Sequence, residues 1–206
     1  MTDWYAWHGD YQVAGTRLAR RLPVVQERVR VAFDQAPPGP LRVVSVCAGQ
    51  GRDLLGVLGD HPRREDVTAR LVELDPRNAA VAAETAAGLD QVQVVVGDAA
   101  LTDQYAGTVP ADLVLLCGVF GNITDHDIRR TIRHSAQLCR TGGTVVWTRG
   151  RRAPDLVPQI CSWFAEGGFE LVWLTEQAEG YGVGAHRFAG TPAPLARGGR
   201  MFSFVR

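Results

Sequence analysis

Three short segments of the chain contain residue types that could bind a nucleoside. Residues 43–53, VVSVCAGQGRD, form an apolar run that ends in two glycines separated by one residue. The segment LVELD contains Glu73 and Asp75, and the segment VVVGDAA places Asp98 directly after a glycine. A carboxylate accepts hydrogen bonds, so it can bind a ribose diol or an exocyclic amine such as that of adenine. Any one of these acids is typical of a cap or an exposed turn, but the three together favour a nucleoside site.

The spacing of these residues narrows the kind of nucleoside. Gly49 and Gly51 allow the backbone to approach a ligand closely, and the N–H groups of a helix that starts there suit a carboxylate or a phosphate. Glu73 follows the turn by about 20 positions, where nucleoside-binding α/β folds place a ribose-binding acid. We expect Asp75 to cap a helix instead. The dinucleotide fingerprint would need glycine where Leu54 stands, and a chain without lysine has no Walker motif.

The composition is typical of a single globular domain. The chain has 206 residues, of which 46% are apolar and 21% are charged, and its formal net charge is zero. Its basic residues are scattered arginines, which predicts no nucleic-acid partner. The longest apolar runs are too short for a bilayer and the first residues lack a signal-peptide pattern, so we expect a cytoplasmic protein without membrane contact. The absence of a CxxC pair favours buried free thiols over disulfides or a metal site.

The N-terminal part of the chain has a helical pattern. In residues 13–33, apolar side chains recur every three or four positions. Pro23 lies inside this stretch and predicts its division into two helices. Residues 36–40, APPGP, predict a rigid connector. We therefore expect a helical cap over residues 1–40 and the main domain over residues 41–206.

Strand and helix patterns alternate through the rest of the chain. Asp75 and Pro76 predict the start of a helix, and Thr124 and Asp127 have the spacing of a capping box. Residues 176–199 are rich in glycine, alanine and proline and predict a long connection. The seven strand candidates are LRVVSVC, VTARLVELD, QVQVVVG, ADLVLLCG, GGTVVWTRG, FELVWLTE and RMFSFVR. Repeated β-α units predict an α/β three-layer sandwich with a Rossmann-like, mainly parallel seven-stranded sheet and an N-terminal helical extension.

With these motifs, the sequence resembles class I S-adenosylmethionine-dependent methyltransferases over roughly residues 41–206. The matching segments are VSVCAGQGRD, LVELD, GDA, DLVLLCGVF and TGGTVVW. The resemblance implies S-adenosylmethionine as the cofactor. It also implies that Cys47, Gly49 and Gly51 shape the turn under the methionine part of the cofactor. Cys117, at the end of the fourth strand, would then lie near the sulfonium.

The resemblance also implies contacts to the nucleoside part of the cofactor. Glu73 would bind the ribose hydroxyls, and Leu74 would pack on the adenine ring. Asp98 would accept a hydrogen bond from the adenine amine, while the N–H of Ala99 would meet a ring nitrogen.

Two positions depart from the family's pattern. Family members usually carry an acid where this chain has Ser45 and a glycine where it has Cys47. This departure leaves open a non-catalytic cofactor-binding scaffold. A nicotinamide-dependent oxidoreductase would share the fold, although Leu54 and Asp98 argue against it. The fourth strand ends in CGVF and lacks the Asn/Asp-Pro-Pro-aromatic tetrad, which disfavours N-methylation of nucleic-acid bases or glutamine.

The chemistry implied by the resemblance places few demands on side chains. Methyl transfer from a sulfonium is an in-line displacement with a good leaving group, so positioning can supply much of the catalysis. A general base is needed only if the acceptor arrives protonated with a high pKa. Candidate bases are His8, Tyr11, His126 and His186, with His126 favoured slightly by its place on the ligand side of the sheet. The residues that we expect to contact the acceptor are Tyr11, Phe120, Asn122 and His126.

The segment WYAWHGDY, residues 4–11, concentrates aromatic side chains around His8. One interpretation is a lid that excludes water, with Tyr11 reaching toward the carboxylate of the cofactor. The other is that these aromatics attach the N-terminal helix to the sheet, or to a second subunit in a homodimer. A short N-terminal cap without a basic patch favours a small-molecule acceptor.

Overall fold

The computed structural model of the chain describes residues 3–205 and contains a seven-stranded sheet. The strands are β1 (Leu41–Val46), β2 (Val67–Glu73), β3 (Val92–Val96), β4 (Ala111–Leu116), β5 (Cys139–Gly150), β6 (Phe169–Leu174) and β7 (Tyr181–Phe188). Their order in the sheet is β3-β2-β1-β4-β5-β7-β6. Strands β1 to β5 pair in parallel, whereas β7 pairs antiparallel with both β5 and β6.

Helices cover both faces of this sheet. They are α1 (Trp4–Trp7), α2 (Arg17–Gln35), α3 (Arg52–Leu58), α4 (Pro76–Thr85), α5 (Asp125–Leu138) and α6 (Val157–Glu166). On one face, α2, α3 and α4 share an apolar core with the strands. On the other face, α5 and α6 share a second core with aromatic residues of the sheet. This arrangement confirms the predicted three-layer α/β sandwich with a mainly parallel sheet.

The starts of two helices follow the capping residues found in the sequence. Asp75 caps α4, where its Oδ1 accepts a 2.9 Å hydrogen bond from the amide of Arg77. Thr124 caps α5, where its Oγ1 accepts a 3.1 Å bond from the amide of Asp127. The carboxylate of Asp127 does not close a capping box, because its Oδ2 accepts a 2.9 Å bond from the amide of Ser203.

The prediction that Pro23 divides the N-terminal helix in two is wrong. Pro23 lies inside the continuous helix α2. Proline removes one helical hydrogen bond, but its ring lies on the exposed side of α2, and the opposite side buries an apolar stripe that ends at Phe33. Packing of that stripe on the sheet stabilises the helix despite the missing bond. The boundary at residue 40 stays a prediction, since α2 shares a core with Leu41 and Val43.

The last strand lies in a different segment from the one that we predict. The segment RMFSFVR forms no strand within the described residues and makes only the isolated bridges Leu101–Arg200 and Ile123–Phe204. Instead, β7 lies inside residues 176–199, which we expected to be a connection. Packing explains the error, because a Cβ at Gly184 would lie 2.4 Å from Cε2 of Trp147. The glycine is needed for this close approach. Nearly the whole strand is buried, so its sequence lacks the alternation of apolar and polar residues that marks a half-exposed strand.

No helix within residues 3–205 is both long enough and apolar enough to cross a membrane.

Candidate functional site

A cavity of about 450 Å³ lies at the carboxyl ends of β1, β2 and β4. Its walls come from the N-terminal segment, from the turn after β1, from the start of α3, and from the residues that follow β2 and β4. The lining includes Trp4, Trp7, His8, Tyr11, Cys47, Ala48, Gly49, Asp53, Glu73, Leu74, Asp75, Arg77, Cys117, Gly118, Asn122 and Phe204. Ligand sites for small molecules commonly occupy several hundred Å³, and parallel sheets bind ligands at this edge.

The turn after β1 has an unusual backbone. Cys47, Gly49 and Gly51 have φ angles of 53°, 56° and 71°, all in the left-handed region. A Cβ at Gly49 would lie 2.1 Å from Nε2 of His8, so glycine is needed for the imidazole ring to pack on the turn. Gly51 does not line the cavity, and a Cβ there would lie 2.6 Å from Leu55. The first glycine therefore shapes the cavity wall, while the second allows the turn to pack on α3.

Glu73 connects this turn to the end of β2. Its side chain is buried. Oε2 accepts a 2.8 Å hydrogen bond from the amide of Gly49, and Oε1 accepts a 2.9 Å bond from the amide of Asp75. An ionised carboxylate has about four acceptor positions. Glu73 therefore organises the backbone of the cavity and keeps acceptor capacity for a ligand.

Of the other predicted nucleoside contacts, the structure brings only one to the cavity. Leu74 lines it and is 62% exposed, so an apolar side chain is available to a planar ring. Asp98 does not line it, because its Oδ1 accepts a 3.0 Å bond from the amide of Ala100 and its Oδ2 accepts a 2.6 Å bond from Arg200. Ala99 is buried in the core beneath.

A partly buried polar cluster lies at the inner end of the cavity. It contains Asp53, Arg21, Tyr11 and Cys117. The guanidinium of Arg21 donates a 3.2 Å hydrogen bond to the Tyr11 hydroxyl. Burial raises the pKa of the Asp53 carboxyl, while Arg21 and a hydrogen bond with the Cys117 thiol act in the opposite direction. Burial likewise raises the pKa of Cys117 and of Tyr11, so both are protonated at neutral pH.

Sequence reasoning missed two members of this cluster. Arg21 lies within the apolar stripe of α2, between Leu18 and Val25. A charged residue on a buried helix face needs a polar partner. The sequence position of Arg21 could therefore have indicated a buried polar contact. Asp53 follows Gly51 by two residues and occupies the first turn of α3, where an acid can also serve only the helix dipole.

The N-terminal segment covers the outer side of the cavity. Trp4, Trp7, His8 and Tyr11 all line it. The Nδ1 atom of His8 lies 2.7 Å from the carbonyl oxygen of Trp4, which fixes the ring over the glycine turn. Outside the aromatic residues, an exposed ion pair of 2.9 Å joins Asp3 to Arg77, which also binds Asp75. The N-terminal segment thus forms a cover over the cavity. Its contact with a second subunit stays a prediction.

A second cavity of about 610 Å³ adjoins the first. The two share Trp7, Gly118 and Asn122. At this junction, Nδ2 of Asn122 donates a 2.7 Å hydrogen bond to the carbonyl oxygen of Gly118, and the Gly118 amide donates a 2.8 Å bond to Oγ1 of Thr148. The second cavity is lined mainly by the start of α2 and by the residues at and after the end of β5.

The four residues that we expect to contact an acceptor lie in different places. Tyr11 lines the first cavity and Asn122 lines both. Phe120 reaches neither cavity, because its ring is fully buried beside Trp147 with centroids 5.9 Å apart. The His126 side chain is 80% exposed, lies outside both cavities, and places Nδ1 3.4 Å from Asp127.

His186 is also distant from both cavities. It is fully buried in β7, where the indole N–H of Trp147 donates a 3.0 Å hydrogen bond to its Nδ1. The expectation that it lies in a mobile connection is therefore wrong. Among residues 3–205, no three or more histidine, cysteine or acidic side chains are grouped as a metal site, and all four cysteines are free thiols.

No protein-family model matches the chain, and no curated protein matches it in sequence. Its fold nevertheless resembles that of several solved structures. An O-methyltransferase family protein from Burkholderia thailandensis is 20% identical, with a TM-score of 0.65 over 84% of this chain and 56% of that protein. The chain therefore spans about half the length of that structure.

Two further structures contain ligands. The Burkholderia thailandensis 1,6-didemethyltoxoflavin-N1-methyltransferase, solved with 1,6-didemethyltoxoflavin and S-adenosylhomocysteine, is 14% identical, with a TM-score of 0.66 over 90% of this chain and 84% of that one. A glycopeptide N-methyltransferase complexed with S-adenosylmethionine is 14% identical, with a TM-score of 0.58 over 80% of this chain and 93% of that one. The chain has the fold of class I S-adenosylmethionine-dependent methyltransferases.

Proposed function

We propose that the chain is an enzyme that transfers a methyl group from S-adenosylmethionine to a small-molecule acceptor. The main support is the meeting of two cavities at Trp7, Gly118 and Asn122. One of them is formed by the glycine turn and Glu73, and the other is an adjoining space for a second molecule. When bound, S-adenosylmethionine supplies an electrophilic methyl group on its sulfonium.

The amino-acid end of the cofactor would occupy the inner end of the first cavity. Asp53 would accept hydrogen bonds from the ammonium group, and the Tyr11 hydroxyl, which is held by Arg21, would donate a hydrogen bond to the carboxylate. Ser45, where the family usually has an acid, is buried in β1 and does not line the cavity. The carboxyl group of Asp53, which lines the cavity, thus offers the acid that position 45 lacks, and this supports S-adenosylmethionine as the cofactor.

The nucleoside would lie toward the outer end. Glu73 would bind the ribose hydroxyls with its remaining acceptor positions. Leu74 and Phe204 both line the cavity and would contact the adenine ring. A contact between Asp98 and the adenine amine would require Asp98 to exchange its bond with Arg200 for one with the base.

The protein's own contribution to the reaction would be positioning and exclusion of water. The cover formed by Trp4, Trp7 and His8 limits the access of water to the first cavity. Asn122 lies at the junction and is held by its bond to Gly118, so it can orient an acceptor on the axis of methyl transfer. Neither His126 nor His186 lines either cavity, so neither is placed to act as a general base.

Two further features support a small-molecule acceptor and a cytoplasmic location. The acceptor space is a cavity of about 610 Å³, a volume that suits a small molecule, and one structural neighbour binds the small molecule 1,6-didemethyltoxoflavin. All four cysteines are free thiols, which is usual in a reducing compartment.

Calorimetric titration with S-adenosylhomocysteine, in parallel with NADH, tests this proposal. We expect micromolar binding of S-adenosylhomocysteine and no binding of NADH. Binding of NADH alone would support a nicotinamide-dependent oxidoreductase. Binding of neither would support a degenerate scaffold that has lost the cofactor. Either of these two results would contradict the proposal.

A further inference from the structure

The second cavity has an unusual charge for a chain with no net charge. Four arginines line it, whereas only two acidic residues do, Asp10 and Asp125. The arginines come from two regions, with Arg17 and Arg21 on α2 and Arg149 and Arg152 at or just after the end of β5. A cavity with an excess of guanidinium groups attracts anions and disfavours cations.

Two of these arginines are already engaged by the protein. Arg21 donates to the hydroxyl of Tyr11 and lies near the buried carboxyl of Asp53. Arg149 donates to the carbonyl oxygen of Phe120. Both guanidinium groups are therefore held in place by the protein itself.

The other two arginines are not engaged in this way. Within residues 3–205, the guanidinium groups of Arg17 and Arg152 make no hydrogen bond or ion pair. Arg17 reaches from the start of α2 to the end of β5, where its Nη1 lies 3.2 Å from the position of a Cβ on Gly150. Gly150 precedes Arg152 by two residues, and both arginines are exposed residues of the cavity lining.

We propose that the methyl acceptor is an anion whose carboxylate or phosphate group binds Arg17 and Arg152. A planar guanidinium donates two parallel hydrogen bonds to either group. The acceptor's nucleophilic atom would then point away from the rim, toward the junction at Asn122. This proposal rests on the proposed function, because it assigns the second cavity to the acceptor.

Matched probes test the proposal. The affinities of 4-hydroxybenzoate, 4-hydroxybenzamide and phenyl phosphate are measured by ligand-observed NMR, with and without saturating S-adenosylhomocysteine. The wild-type chain is compared with the double variant Arg17→Gln/Arg152→Gln. The control is Arg133→Gln, which changes an exposed arginine of α5 that lines neither cavity.

We expect at least one acid to bind the wild type tenfold or more tightly than the amide, and this preference to vanish in the double variant but not in the control. The tighter of the two acids identifies the carboxylate or the phosphate as the favoured group. Equal binding of acids and amide, or a double variant that keeps the preference, would overturn the proposal. If the arginine-dependent preference is present but S-adenosylhomocysteine does not bind, the anion site stands and methyl transfer is refuted.

Discussion

The amide of Gly49 donates a 2.8 Å hydrogen bond to the carboxylate of Glu73, which joins the turn after β1 to the end of β2. The other oxygen of Glu73 accepts a 2.9 Å bond from the amide of Asp75. One buried side chain thus holds the backbone on two sides of the cavity. The proposed ribose contact adds to these two bonds and does not replace them.

Replacement of Glu73 by alanine is expected to weaken binding of S-adenosylhomocysteine by about 1.5–3 kcal/mol, the contribution of a hydrogen bond to a charged group. The substitution also leaves two backbone amides without their partner, so the free energy of unfolding should fall. Calorimetry and urea denaturation measure the two effects. Glu84→Ala, on the exposed side of α4, is the matched control and should change neither. Unchanged affinity in Glu73→Ala would show that the ribose assignment is wrong.

Alanine at position 49 is expected to displace His8, because a Cβ there would lie 2.1 Å from the imidazole Nε2. The affinity for S-adenosylhomocysteine should fall. In the double variant Gly49→Ala/His8→Ala the steric conflict is absent, so part of the affinity should return, while the cost of alanine at a φ of 56° remains. Additive losses in the double variant would contradict a direct contact between these two residues.

The substitution Asp53→Asn tests the proposed site for the amino-acid end of the cofactor. It replaces the partly buried carboxyl group that we expect to bind the ammonium group, so affinity for S-adenosylhomocysteine should fall by a factor of about ten or more. Asp90→Asn, at an exposed position, serves as the control. Titration calorimetry measures the affinity of both variants for S-adenosylhomocysteine. Equal affinities of the two variants would show that Asp53 does not bind the cofactor.

The buried His186 predicts a dependence of stability on pH. Burial lowers its pKa to about 4 from an ordinary value of 6.5, and its Nδ1 already accepts the indole N–H of Trp147. Between these pH values the unfolded chain binds a proton that the folded chain does not, so the free energy of unfolding falls as the pH decreases from 6.5 toward 4. The loss attributable to this residue is on the order of 3 kcal/mol when complete.

Urea denaturation of the wild type and of His186→Asn across this range measures the effect. Asparagine retains an oxygen that can accept from Trp147 but does not titrate, so the variant should lose less stability than the wild type on acidification. His126→Asn, on an exposed side chain, should behave like the wild type. Parallel curves for wild type and His186→Asn would contradict the assignment.

The sequence predicts much of the fold because several elements carry local signals. The β-branched run of β1 is buried by helices on both faces, and it is recognisable without tertiary information. The caps at Asp75 and Thr124 likewise depend on residues within one turn of the helix. Such short-range features also locate the glycine turn and Glu73, and both line the cavity.

Other features could not be predicted because they depend on distant residues. Gly184 looks like part of a loop until Trp147 is known to pack on it. The contact of Asp98 with Arg200 links positions far apart in the chain. Phe204 reaches the first cavity only because of the path of the C-terminal segment. The second cavity joins α2 to the end of β5, and no local pattern connects Arg17 with Arg152.

Hydrogen–deuterium exchange with and without saturating S-adenosylhomocysteine tests the central claim most directly. The claim is that the cofactor lies in the first cavity, which is lined by both the glycine turn and the N-terminal cover. We predict slower amide exchange in three segments, residues 47–53, residues 73–77 and residues 4–11. The first two contain the amides of Gly49 and Asp75, which would lie beside the ligand. Slower exchange confined to other segments, or no change at any of these three, would contradict the account.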